Sequence, residues 1–167
     1  MWSRLGLDDP RPLLSSDPRC WYPRAYSSQG SRVSSQVDEF LKEWHRIVSE
    51  KDLAALDVLL AEDLSLGAPP YWDRFRGREL VKHLLGLILD AIEGFTYRRE
   101  WCDGRELALE FTGRVGDLEL QGIDLITLDD GMRVQNLDVM MRPVNAVVAL
   151  REIIRPQMAA FLARAGG

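Results

Sequence analysis

The chain has 167 residues, a formal net charge of −5, and 46% apolar and 28% charged residues, the profile of one ordinary globular domain long enough to bury a core. The acidic balance argues against a general nucleic-acid binder, and two cysteines (Cys20 and Cys102) with two histidines (His45 and His83) speak against a disulfide framework or a Cys/His metal site. No apolar run reaches the roughly 18 residues of a membrane span, so a cytoplasmic protein is expected, and nothing implies a cofactor or a metal.

Residues 1–33 stand apart. They hold four prolines and six serines with no sustained periodicity, and five Arg against three Asp give them a charge of +2, leaving −7 on 34–167. Too little regular apolar surface is present to offset chain entropy, so a flexible or loosely docked extension is expected, with Trp2, Trp21 and Tyr22 as the residues that could dock. Of the 21 basic residues 18 are Arg, in both parts of the chain, which reads as GC-rich coding rather than a basic patch. Val33 would then be a GTG start.

From residue 34 a single domain to residue 165 is expected. Ser35 and Asp38 resemble a capping box that opens a first helix, with Val37, Leu41, Trp44 and Val48 on one face. Asp52 can cap a second helix carrying Leu53, Leu56, Leu59 and Leu60. Gly67-Ala68-Pro69-Pro70 breaks regular structure, and a third helix is expected from Arg78 to Ile92. Three turn signals, Asp103-Gly104, Gly116-Asp117 and Asp130-Gly131, then divide residues 95–142 into a four-strand antiparallel meander. A terminal helix follows from Val144, with a kink or break expected at Pro156. The sum is an α+β architecture.

Two-residue turns fix register, and opposed residues share a face. The Gly116-Asp117 turn sets Leu109 opposite Asp124 and Phe111 opposite Gly122. The Asp130-Gly131 turn sets Leu137 opposite Asp124, Val139 opposite Gly122, and Met141 opposite Leu120. One carboxylate, Asp124, thus falls in the middle of an apolar face. Burial of an ionised, unpaired carboxylate is costly, so Asp124 must either pair or stay protonated. The Asp103-Gly104 turn brings Arg98 within a long side chain's reach of it. Paired, Asp124 is ionised and structural; unpaired, it is a neutral acid that can contact a ligand or donate a proton, and these readings stay open. The opposite face, with Phe95, Tyr97, Trp101, Leu125, Asp138 and Met140, is half apolar, as in a homodimer interface.

This order of elements, with Glu43-Trp44, Lys51-Asp52-Leu53, Pro69, Gly77-Arg78-Glu79, Gly122-Ile123-Asp124-Leu125 and Val139-Met140-Met141-Arg142-Pro143, resembles the cone-shaped nuclear transport factor 2-like superfamily. The closing Met-Arg-Pro before an apolar helix is most similar to its SnoaL-like branch. The resemblance implies a cone of helices packed on a curved meander sheet around an apolar pocket. Against the ketosteroid isomerases of that superfamily, Asp124 matches the oxyanion-hole Asp. The hole's Tyr falls on Trp44 and the general base on Ala68, and neither can do that proton chemistry. The Asp-Arg-Asp arrangement of the epoxide hydrolases is not matched either, since its last Asp lies nearest an outward Asp138.

The expected function is therefore binding of a small apolar molecule, with acid-assisted isomerase or cyclase activity through Asp124. The expected ligand contacts are Trp44, Arg98, Leu109, Phe111, Leu137, Val139, Met141 and Trp72, the last from the aromatic loop Tyr71–Arg76 at the pocket mouth. A filled cone serving as a dimeric interaction module is the alternative. An active isomerase needs a base, and His45 or Asp73 supplies one only if it points into the cavity.

Overall fold

The computed structural model describes residues 28–165, so the expectations for Trp2, Trp21 and Tyr22 lie outside the described residues. Helix α1 (Ser28–Glu50) runs straight through Ser35, which is therefore not its start. Val37, Phe40, Leu41, Trp44 and Ile47 recur every three or four residues and form its buried stripe. The helix ends at Lys51, whose φ of 55° lets the Asp52 N–H bond back to the Ile47 carbonyl at 3.0 Å.

Beyond this cap the structure departs from the expected second helix. Only Leu56–Leu59 (α2) is helical, and Leu60–Gly67 is a strand, β1. Leu60, Leu64 and Leu66 suit either period, and pairing with a distant strand decides between them. Strand β2 (Phe75–Arg76) and helix α3 (Arg78–Ala91) follow. The meander comes next as β3 (Glu93–Asp103), β4 (Glu106–Val115), β5 (Leu118–Leu128) and β6 (Val134–Arg142). Helix α4 (Val144–Ala165) continues through Pro156 as one element, against the expected break.

The sheet has six strands in the order β2-β1-β6-β5-β4-β3, and β1 lies parallel to β6. It is thus mixed rather than a pure antiparallel meander. Four helices pack on this open, curved sheet as an α+β cone, and the core lies between them. Its sheet side is built by Leu107, Leu109, Phe111, Leu120, Ile126 and Leu137, each at most 3% exposed.

Register holds at one turn and shifts at two. Gly116-Asp117 sets Leu109 opposite Asp124 and Phe111 opposite Gly122, as its length requires. Between β5 and β6 the connection is five residues, because the Asp129 carboxylate accepts the N–H groups of Gly131 and Arg133, both at 2.8 Å. Val139, not Leu137, therefore opposes Asp124, and Met141 opposes Gly122. This slip is even, so the faces are kept. Between β3 and β4 the turn is Gly104-Arg105, and a bulge inserts Arg98 as an extra residue between Tyr97 and Arg99. That odd step turns Phe95 and Tyr97 inward, opposite to the expected face.

Candidate active site

Inside the cone, Asp124 is 7% exposed on central strand β5 and is bonded to a residue that the turn arithmetic set outside. Tyr97 Oη donates to Asp124 Oδ2 at 2.8 Å, and Trp44 Nε1 on α1 donates to the same Tyr97 Oη at 2.9 Å. The three side chains form one relay from helix to sheet, in which each hydrogen bond polarises the next. Arg98, the expected partner, is exposed and lies in a surface groove with Glu93, Arg114 and Glu119. The bulge places Arg98 away from Asp124 and delivers Tyr97 in its place.

Replacing a cation by a phenol changes the electrostatics. Burial pushes the Asp124 carboxyl up to about 7, and the Tyr97 hydrogen bond only partly opposes it. Tyr97 is held well above its ordinary value by burial and by the neighbouring Asp124 charge, so its hydroxyl stays a donor. Near neutral pH Asp124 is thus poised between neutral acid and carboxylate, the condition for acid–base work.

Aromatic packing fixes this pair. Phe111 stacks on Phe95 with ring centroids 4.8 Å apart and meets Tyr97 edge-on at 6.4 Å. The Phe111 ring lies over Gly122, where a Cβ would come within 2.3 Å of the ring and 2.7 Å of the Met140 carbonyl oxygen. Only glycine admits that approach, which gives the Gly122-Ile123-Asp124 phrase a packing reason. His45 stacks on Tyr97 at 5.1 Å with Nε2 3.1 Å from Glu100 Oε1, outside the cavity lining.

The space beside Asp124 is small, about 40 Å³, and is lined by Trp44, Tyr97, Phe111, Leu137, Val139 and Met141 among others. That is room for a water or one small group. A wider pocket of about 400 Å³ adjoins it beneath α4, and Ile88, Val139 and Met141 belong to both walls. The wide pocket is closed by Leu84 of α3, Leu150, Ile154 and Met158 of α4, and the loop residues Ala68, Tyr71 and Asp73. Arg74 ties that loop down, pairing with Asp138 and donating through Nε to Ser65 Oγ at 3.0 Å.

Of the expected contacts, Trp44, Phe111, Leu137, Val139 and Met141 come together around Asp124. Leu109 is fully buried in the core and is not part of that lining, and Trp72 is 97% exposed on its loop. Tyr97, Phe95 and the α4 wall were not foreseen. The Phe95–Tyr97 alternation was a visible signal, but its face depended on an unseen bulge. Cys102 is exposed, with its thiol pushed up chiefly by partial burial and then by Glu100 and Asp38. Among the described residues no His, Cys, Asp and Glu group could hold a metal ion, and no helix is long and apolar enough to cross a membrane.

Known structures share this cone. A steroid delta-isomerase from Pseudomonas aeruginosa is 36% identical, with a TM-score of 0.72, over 77% of this chain and 95% of that one. The chain belongs to the nuclear transport factor 2-like superfamily. A bacterial protein with a cystatin-like fold from Silicibacter pomeroyi is also 36% identical, with a TM-score of 0.68, over 71% of this chain and 84% of that one. A superfamily protein of unknown function from Mesorhizobium loti, 21% identical with a TM-score of 0.59, covers 66% of this chain and 93% of that one and shows the fold alone. No family model and no curated protein matches the sequence.

Proposed function

We propose that this protein binds a small apolar molecule beneath α4 and uses Asp124 as a proton donor to a ligand oxygen in an isomerase- or cyclase-type reaction. The observation that carries this reading is the Tyr97–Asp124 pair in a small space that shares Ile88, Val139 and Met141 with the wide apolar pocket, with a carboxyl pushed up to about 7. The bulk of a ligand fits the outer space, whose volume lies in the roughly 300–1,000 Å³ range of small-molecule sites. One oxygen fits the inner space. Asp73, the one carboxylate lining the wide pocket, is the candidate base. The 36% identical structure described as a steroid delta-isomerase supports this reaction class. The SnoaL-like branch remains our narrower assignment.

The test is a thermal-shift screen of apolar ketones and enones with wild type and Asp124→Asn, followed by assay of any ligand that stabilises the wild type. Binding by both proteins, with turnover in the wild type alone, supports the reading. Absence of any stabilising ligand removes it. The tight 40 Å³ space instead favours a filled interaction module, which that second outcome would support.

We further assign a homodimer to the outer sheet face. Trp101, Leu125 and Met140 are exposed there, by 49%, 38% and 59%, around the buried Glu110 that Arg99 and Gln121 satisfy. Light scattering checks it, and a strict monomer at micromolar concentration contradicts it.

A further inference from the structure

The pocket beneath α4 has an apolar body and a charged mouth, and each end calls for a different group on one molecule. Leu84, Ile88, Met141, Leu150, Ile154 and Met158 line the body. At the mouth, Arg151 and Arg155 stand one turn apart on the stripe of α4 that faces the pocket. Arg74 is paired with Asp138, whereas Arg151 and Arg155 share the one carboxylate of Glu152.

These arginines differ in how far their donors are used. Arg74 is committed to Asp138 and Ser65. Arg151 gives Nε to Tyr71 Oη at 2.9 Å and Nη1 to Glu152 at 2.6 Å, and its guanidinium lies 5.8 Å from the centre of the Tyr71 ring. Arg155 gives only Nη2, to Glu152 at 3.3 Å. A guanidinium carries five N–H donors in one plane, so both keep N–H donors beyond these bonds for a second carboxylate. Tyr71 aims Arg151, and the half-exposed Glu152 is a weakly held surface partner that a ligand can displace.

We propose that the pocket takes an amphipathic acid, with its apolar body beneath α4 and its single carboxylate between Arg151 and Arg155 at the mouth. The inference rests on this pocket being the ligand site. An acid enters with its charge outward and its uncharged end toward Asp124, so no second carboxylate meets that buried group. The arginine pair then selects among apolar molecules that the walls alone would accept.

The probes are decanoic acid and decanol, titrated calorimetrically below self-association into the full chain and into Arg151→Ala/Arg155→Ala. The acid should bind about tenfold more tightly than the alcohol, as for a charge-assisted pair at a partly exposed site. The double substitution should abolish that preference, bringing the ratio of acid to alcohol affinity to about one. Should the double variant fold poorly by circular dichroism, Arg155→Ala alone should remove part of the preference. Equal binding of acid and alcohol by the wild type would overturn the acid assignment while leaving the binding site standing. Binding of neither would overturn both. A preference that survives the substitutions would show that these arginines do not hold the carboxylate.

Discussion

The two ends of the cone interior are built differently. Around Asp124 every wall is sheet or a helix packed directly on it, and Trp44, Tyr97, Phe111 and Gly122 interlock until about 40 Å³ remains. Beneath α4 the walls come from two helices, a loop and the far end of β6, and about 400 Å³ stays open. Packing that holds a donor at one oxygen leaves no space for a ligand body. A wall whose residues face solvent at its edge, as Arg155 and Ala159 do, leaves space but orients little. Proton donor and binding space are thus adjacent but separate, divided by Ile88, Val139 and Met141.

Four measurements would break or sharpen this division. The largest effect belongs to Asp124. Its carboxyl stands near 7 in the folded chain against 3.8 for the ordinary group, so the native state holds a proton that the unfolded chain has lost. Stability from this group is full below about pH 4 and is lost as pH rises through about 7, in total on the order of 4 kcal/mol. Denaturant unfolding from pH 4 to 8 should show the decline, and Asp124→Asn should flatten it. Next, Gly122→Ala drives a methyl into Phe111 and the Met140 carbonyl and should destabilise by about 1–3 kcal/mol in urea unfolding.

Tyr97→Phe should be milder, about 1–2 kcal/mol, because it leaves Asp124 and the Trp44 N–H without their shared partner. It also removes the one bond that lowers the Asp124 carboxyl, so the stability step should move to higher pH. A step that stays in place would detach Tyr97 from the relay. The smallest effect on stability is expected at the pocket. Ala159→Trp fills space at an exposed position of α4 and should change stability by no more than about 0.5 kcal/mol. It should nevertheless abolish binding of apolar probes, measured by calorimetry. A large stability loss there would mean that the two ends are not separate.

Much of this was legible in the chain. The Gly116-Asp117 turn places Asp124 beside Leu109, and the structure keeps that pairing because two-residue turns leave no slack. The Asp129 loop shifted β6 by an even number, so Leu137, Val139 and Met141 stayed on the inner face. The partner of Asp124 was not legible. It turned on one extra residue, Arg98, and a bulge has no fixed local signature. Strand β1 was not legible either: Leu60 fits the second helix's face as well as a strand, and the partner that decides, β6, lies some 70 residues away.

The sequence by itself determined the α+β class, the apolar inner face and the place of Asp124 in its middle, because periodicity and tight turns are local. Only the tertiary structure decided what that carboxylate bonds to and where a ligand has room. Both are set by how distant elements meet: a bulge that turns Tyr97 inward under Trp44, and α4 crossing over α3 and β6. Contacts between elements far apart in the chain carry no fixed spacing, and the chemistry of this protein depends on those contacts.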